Sequence, residues 1–132
     1  DRTLLSEGRA ATLQVNLPLF KQILENLINN GFKYNRSAAK IVSVSVELAP
    51  TFLKIIVSDN GIGLPKEVRQ TVFNLFHRAQ ANDAEFEGSG VGLALVRSAA
   101  IRLGGGVYAE SGDAGGSQFV VTLPQSALVS YD

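Results

Sequence analysis

Apolar residues change their spacing repeatedly along this chain, and each change marks an element. They alternate weakly over 12–15, which predicts a short strand. From Phe20 they recur at Ile23, Leu24, Leu27 and Ile28, the spacing of one helical face. Asn16 suits the cap of that helix and Pro18 its first turn, and Asn35-Arg-Ser37 ends it. Residues 41–48 alternate with Ser43, Ser45 and Glu47, as a half-buried strand does. A Pro50-Thr51 turn leads to a second strand over 52–58, so the pair reads as an antiparallel hairpin. A short helix is expected over 65–75, with Pro65 at its start. Residues 77–90 lose apolar periodicity and read as a loop. A helix rich in Val, Leu and Ala follows over 91–103 and stops at Gly104-Gly-Gly106. Strands over 107–110 and 117–123 flank a Gly-Asp-Ala-Gly-Gly turn, and the chain from Pro124, with 125–132, reads as a tail. Helices on one face of a largely antiparallel sheet bury all these stripes at once, so the predicted class is α/β, a two-layer sandwich.

Composition narrows the chemistry. At 132 residues the chain is about one domain long, and its 45% apolar content supplies an ordinary core. Twelve basic residues balance twelve acidic ones, so no nucleic-acid partner is expected. Without cysteine there is neither a disulfide nor a thiolate metal site, and the single histidine, His77, excludes a multi-histidine cluster. His77 reads as an exposed loop residue. No apolar run approaches the roughly 18 residues that span a bilayer, and no signal peptide opens the chain. The expectation is a cytoplasmic domain without direct membrane contact, compatible with the cytoplasmic part of an inner-membrane sensor.

Three segments then stand out, in order. In Asn26-Leu-Ile-Asn-Asn-Gly-Phe-Lys-Tyr34, helical spacing puts Asn26, Asn30 and Lys33 on one face, away from the apolar stripe. Amide oxygens are hard neutral donors suited to Mg²⁺, Lys33 suits phosphate charge, and Tyr34 suits a base or ribose. A frayed polar helix end accounts for the same residues. In Asp59-Asn-Gly-Ile-Gly-Leu-Pro65, Asp59 ends a strand and can accept from an exocyclic amine such as that of adenine. Gly61 and Gly63 permit close approach, and Ile62 and Leu64 offer an apolar floor. An Asp-Asn-Gly turn with no ligand is the plainer alternative. In Gly88-Ser-Gly-Val-Gly-Leu93, Gly88, Gly90, Val91, Gly92 and Leu93 lead into a helix start whose N–H groups attract phosphate. No Lys-Ser or Lys-Thr pair follows, so this is not a Walker loop, and a lid hinge is the alternative. Just upstream, Arg78 and Gln80 are in range of a terminal phosphate, while Phe73 and Phe76 read as core anchors.

Together these segments resemble the catalytic ATP-binding domain of two-component sensor histidine kinases, over about residues 12 to 124. Asn26–Tyr34 resembles that family's N box, Asp59–Gly63 its first glycine box, 73–78 its F box and 88–93 its second glycine box. The resemblance implies the Bergerat (GHKL) fold, a mixed, mainly antiparallel sheet with helices on one face. It implies ATP and Mg²⁺ as ligands. Asn30 would hold Mg²⁺ with help from Asn26, Asp59 would hold the adenine amine, Lys33 and Tyr34 would flank the nucleotide, and Arg78 and Gln80 would meet the γ-phosphate. The 77–90 segment would be the ATP lid. The γ-phosphoryl would pass to a histidine on a separate dimerisation domain, and onward to a response-regulator receiver domain. Gyrase-like relatives with the same fold resemble one another in a glutamate one turn before the magnesium asparagine. That position here is Asn26, and Glu25 lies about 100° away around the helix. A self-contained ATPase, or a degenerate docking module, are the competing readings. Three departures from the family pattern stand. Asn16 replaces a common aspartate. Gly31 replaces alanine at a helix cost of about 1 kcal/mol. The family's first strand and helix have little room before Thr12, so a fragment of a longer protein is expected.

Overall fold

The computed structural model describes residues 2–7, 11–74, 91–112 and 115–131; for 2–7 and Tyr131 it describes the backbone only. Strand β1 (Arg2–Glu7) and the short β2 (Ala11–Leu13) precede helix α1 (Leu17–Lys33). The hairpin β3 (Lys40–Leu48) and β4 (Phe52–Asp59) follows, then helix α2 (Gly92–Arg102) and the strands β5 (Gly106–Ser111), β6 (Ser117–Pro124) and β7 (Leu128–Tyr131). The main sheet runs in the order β1-β3-β4-β6-β5. β1 lies parallel to β3, and the other neighbours are antiparallel. This is the mixed, mainly antiparallel sheet expected.

The local reasons match the sequence pattern. The Asn16 side chain accepts from Leu19 N at 3.1 Å and caps α1, with Pro18 in its first turn. The α1 stripe buries Ile23 and Leu27 completely. α2 ends where Gly104 takes φ +90° and Gly105 N reaches back to Ala100 O, as a glycine stop does. On the sheet, alternate residues Leu53, Ile55 and Val57 of β4 and Leu123, Val121 and Phe119 of β6 face one way, and both helices cover them. This gives two layers, with the core between sheet and helices. Gly31 also finds its reason here. A methyl at Gly31 would stand 2.7 Å from Val42 Cγ2, so glycine lets α1 lie close on β3.

Three expectations are corrected. Of the expected tail over 125–132, the described residues 125–131 are structured. A short 3₁₀ turn, Gln125–Ala127, leads into β7, which pairs antiparallel with β2. Gln125 Nε2 donates to Ala49 O at 2.6 Å and Pro50 O at 3.1 Å, and Ala127 O accepts from Gln14 N at 2.7 Å. Those backbone groups need partners, and the chain end supplies them. Second, a strand does fit before Thr12, because six residues suffice to pair β1 with the open edge of β3. Third, the stretch after Pro65 is not an α-helix. It forms a 3₁₀ turn, Lys66–Val68, and then i→i+3 bonds from Thr71 N to Val68 O and Asn74 N to Thr71 O. The tighter winding buries Val72 and Phe73 side by side, and the Phe73 ring meets Phe119 edge-on at 6.0 Å.

Candidate functional site

At one end of the sheet the core opens into a pocket of about 440 Å³ of empty space, its mouth included. Asp59 stands at its polar end. β4 presents Leu53, Ile55 and Val57 to the core, and the next residue on that face is Asp59. Its Oδ1 accepts from Gly61 N at 2.9 Å and from Ser117 N at 3.3 Å. The Ser117 hydroxyl reaches Oδ2 at 3.3 Å, so among the described residues Oδ2 has only that long bond. Burial raises the Asp59 pKa above the usual carboxylate value, and the Gly61 and Ser117 hydrogen bonds oppose that rise. A carboxylate kept in such a place has acceptor capacity to offer a ligand.

The walls come from several elements, among them the stretch after Pro65 that contributes Val72. α1 contributes Asn30, and Tyr34 follows it; the turn after β4 contributes Ile62, Gly63 and Leu64; α2 contributes Leu93; β6 contributes Phe119. The turn needs its glycines. A side chain at Gly61 would meet Tyr34 O at 2.3 Å, and Gly63 has φ +79°. Ile62 N donates to Tyr34 O at 3.1 Å, which pins the turn to the end of α1. Arg69 Nε donates to Leu64 O at 3.3 Å and steadies the far end of the turn.

The sequence-predicted residues fall into three groups. Asn30, Tyr34, Asp59, Ile62, Gly63, Leu64 and Leu93 line this one pocket. Others stand beside it. Half-buried Asn26 donates from Nδ2 to Gln22 O at 2.8 Å, and its Oδ1 lies 3.0 Å from where a Gly92 side chain would begin. That contact brings the first turn of α2, entered through Val91, up to the polar face of α1. Lys33 is exposed, with Nζ 5.7 Å from the centre of the Tyr34 ring. The third group, Arg78, Gln80, Gly88 and Gly90, lies outside the described residues, as do Phe76, His77 and the whole 77–90 segment.

Three lining residues were not foreseen: Val72, Ser117 and Phe119. Val72 and Phe119 read as ordinary core. Ser117 carried a signal, since a polar residue opens the core-facing alternation of β6, but only its neighbour Asp59 gives that signal meaning. Among the described residues no three His, Cys, Asp or Glu side chains converge, and the amides of Asn26 and Asn30 are hard donors on the polar face of α1. Among the same residues no helix is long and apolar enough to cross a membrane.

Comparison with known proteins places this geometry. Residues 16–127 match the family of histidine kinase-, DNA gyrase B- and HSP90-like ATPases. Over 103 residues, 78% of its length, the chain is 42% identical to the signal transduction histidine-protein kinase AfsQ2 of Streptomyces coelicolor, and spans 19% of that protein. It is 34% identical to the sensor protein RstB of Escherichia coli over 121 residues, 91% of this chain and 27% of that protein. The chain thus spans about a quarter or less of the curated relatives named. Among solved structures, the mycobacterial sensor histidine kinase MprB superposes with a TM-score of 0.75 at 22% identity, covering 94% of this chain and 80% of that one. Full-length ShkA in complex with AMPPNP superposes with a TM-score of 0.74 at 22% identity, covering 100% of this chain and 26% of that one. At these identities the structural likeness speaks for the fold alone, and it agrees with the sheet order and helix placement above. The sequence match runs from the cap of α1 to the residue before β7, through every described wall of the pocket: the chain belongs to the histidine kinase-, DNA gyrase B- and HSP90-like ATPase family.

Proposed function

We propose that this domain binds Mg·ATP and presents its γ-phosphoryl to a histidine on a separate dimerisation domain of the same parent protein, from which it passes to a response-regulator receiver domain. The observation that carries the reading is Asp59. Its Oδ1 is held by two backbone N–H groups while Oδ2 keeps acceptor capacity beside Ile62, Leu64, Val72 and Phe119. A charged acceptor at the end of an apolar slot fits a flat base with one exocyclic amine. That the relatives carry the names of sensor kinases, and that one solved neighbour is in complex with AMPPNP, supports the same choice.

The remaining roles follow from position. Asp59 accepts from the adenine amine, and Ile62 and Leu64 floor the ring. Tyr34, at the end of α1, flanks the sugar and phosphates with Lys33. The N–H groups at the start of α2, from Val91, Gly92 and Leu93, attract phosphate, and no side chain caps them. The amide oxygens of Asn30 and Asn26 fit Mg²⁺, which supplies charge neutralisation on the phosphate oxygens. Arg78 and Gln80 are assigned to the terminal phosphate. The domain's contribution is positioning and charge, and the acceptor imidazole makes the new bond to phosphorus as the bond to ADP breaks.

Asn26 decides between transfer and hydrolysis. An amide there takes no proton from water, and its Nδ2 is already committed to Gln22 O. The domain is therefore built to hold ATP without spending it on water. We assign it to the cytoplasm, working without direct membrane contact and without nucleic acid.

Titration of the 132-residue chain with Mg·ATP or a non-hydrolysable analogue tests the reading. At about 100-fold excess over the dissociation constant the fold should gain about 2.7 kcal/mol. An unchanged unfolding temperature would mark a docking module instead. Phosphate release should stay close to background in the wild type and rise in Asn26→Glu. Rapid release by the wild type would make the domain a self-contained ATPase.

A further inference from the structure

The two polar ends of the pocket belong to different elements. Asn30 lies in the last turn of α1 with Tyr34 just after it, while Asp59 ends β4 and Ile62 to Leu64 follow it. Something must fix one against the other, because a ligand that touches both is held only as well as their spacing is held.

Asn35 is one of two buried polar residues among those described, 3% exposed, and it does not line the pocket. Its Nδ2 donates to Gly31 O at 3.2 Å, a carbonyl in the last turn of α1 that helix geometry leaves short of a partner. The same nitrogen donates to Asn60 Oδ1 at 2.8 Å, 25 residues along the chain. Asn35 Oδ1 accepts from Ser37 N at 2.9 Å. Asn60 is tied on every side. Its Oδ1 also accepts from Ile41 N at 2.9 Å, its Nδ2 donates to Ala39 O at 2.9 Å, its backbone N donates to Ile41 O at 3.2 Å, and its O accepts from Ser37 Oγ at 2.8 Å. Both side-chain amides are thus bonded at nitrogen and oxygen alike. A network satisfied in this way, running from buried Asn35 to half-buried Asn60, favours one geometry over others.

The Asn35–Asn60 bond is long-range, and it joins the turn after α1 to the residue next to Asp59. The Asn60 bonds to Ser37, Ala39 and Ile41 also cross 19 to 23 residues, but they reach only the loop and the start of β3, whereas Asn35 carries Asn60 to Gly31 O in the last turn of α1. We infer that Asn35 and Asn60 are positioning residues, a clasp rooted in buried Asn35 that sets the distance between the base-holding carboxylate and the phosphate-side end of α1. Neither side chain touches the nucleotide. The clasp acts through Asp59 on one side and through Asn30 and Tyr34 on the other. This rests on the nucleotide reading above, and the test separates the two.

Asn35→Asp keeps the shape of the side chain and replaces its donor with an oxygen, set against Gly31 O and Asn60 Oδ1. The affinities of folded wild type and variant for ADP, which spans both ends, and for adenosine, which occupies the base end, are measured by titration and competition. ADP affinity should fall about tenfold, adenosine affinity by less than about threefold. A purely structural loss would lower the unfolding temperature and leave both affinities of the folded protein unchanged, or lower both alike. Either result overturns the clasp. A wild type that binds neither ligand overturns the nucleotide reading and the clasp with it. If Asn35→Asp does not fold, Asn35→Ser carries the same comparison, since one short hydroxyl does not span both Gly31 O and Asn60 Oδ1.

Discussion

The two ends of the β4–β6 ladder are built alike and behave differently. At one end Leu53 pairs with Leu123, then Ile55 with Val121 and Val57 with Phe119, all at or below 2% exposure. One step further on the same face, the pair becomes Asp59 and Ser117, joined through the serine N–H and hydroxyl. Backbone register and facing direction do not change. What changes is the side-chain chemistry, and with it the purpose of the layer. The apolar end gives stability, and of its six side chains only Phe119 lines the pocket. The polar end costs stability, because burial disfavours the Asp59 charge, and gains a carboxylate acceptor at the mouth of the core. The pocket is therefore the last layer of the core, left open and made polar.

The largest effect should appear at the apolar end. Leu53→Ala removes a side chain with 0% exposure, so it should cost about 2 to 5 kcal/mol of stability by denaturant unfolding. The nucleotide affinity of the folded fraction should not move. A matching loss of affinity would show that the two ends are not separable.

Asp59→Asn should do the reverse. Losing a charged acceptor costs about 1.5 to 3 kcal/mol, so affinity for ATP should fall by about 10- to 100-fold in calorimetry. The ligand-free domain should be at least as stable as the wild type at neutral pH. The amide keeps an oxygen for the Gly61 and Ser117 N–H groups and drops the buried charge. A clear fall in ligand-free stability would mean that the charge holds the turn together.

The smallest effect is the pH dependence of that difference. Burial raises the folded pKa of Asp59 above its unfolded value of 3.8, so the folded state binds its proton more tightly. The stabilising contribution is fully present below 3.8 and is lost as pH rises through the raised folded value. Unfolding temperatures of wild type and Asp59→Asn should therefore lie furthest apart near neutrality and converge as pH falls toward 3.8. A gap that widens in acid would reverse the assigned direction of the shift.

Much of this was legible in the chain. Period-two alternation marked β3 and period-3.6 spacing marked α1, because each buries one face, while turns, glycine stops and apolar composition marked β4, β5, β6 and α2. Asp59, Ile62 and Leu64, singled out together in the sequence, line one pocket in the structure. β1 and β7 were not legible. Their pairing depends on the open edge of β3 and on the partner strand β2, which lie far away in sequence. The winding after Pro65 was missed for a related reason, since packing of Val72 and Phe73 on the sheet overrode helical propensity.

By itself, then, the sequence determined which residues carry donors, acceptors and glycines, and which faces must be buried, because those properties are local to each residue and its period. Only the tertiary structure decided that Ser117 would stand beside Asp59, that Phe119 and Val72 would wall the pocket, and that Asn35 would reach Asn60. Ser117 meets Asp59 across 58 positions and Asn35 meets Asn60 across 25. Such distances close only when the sheet register and the packing of α1 on β3 and β4 are set together.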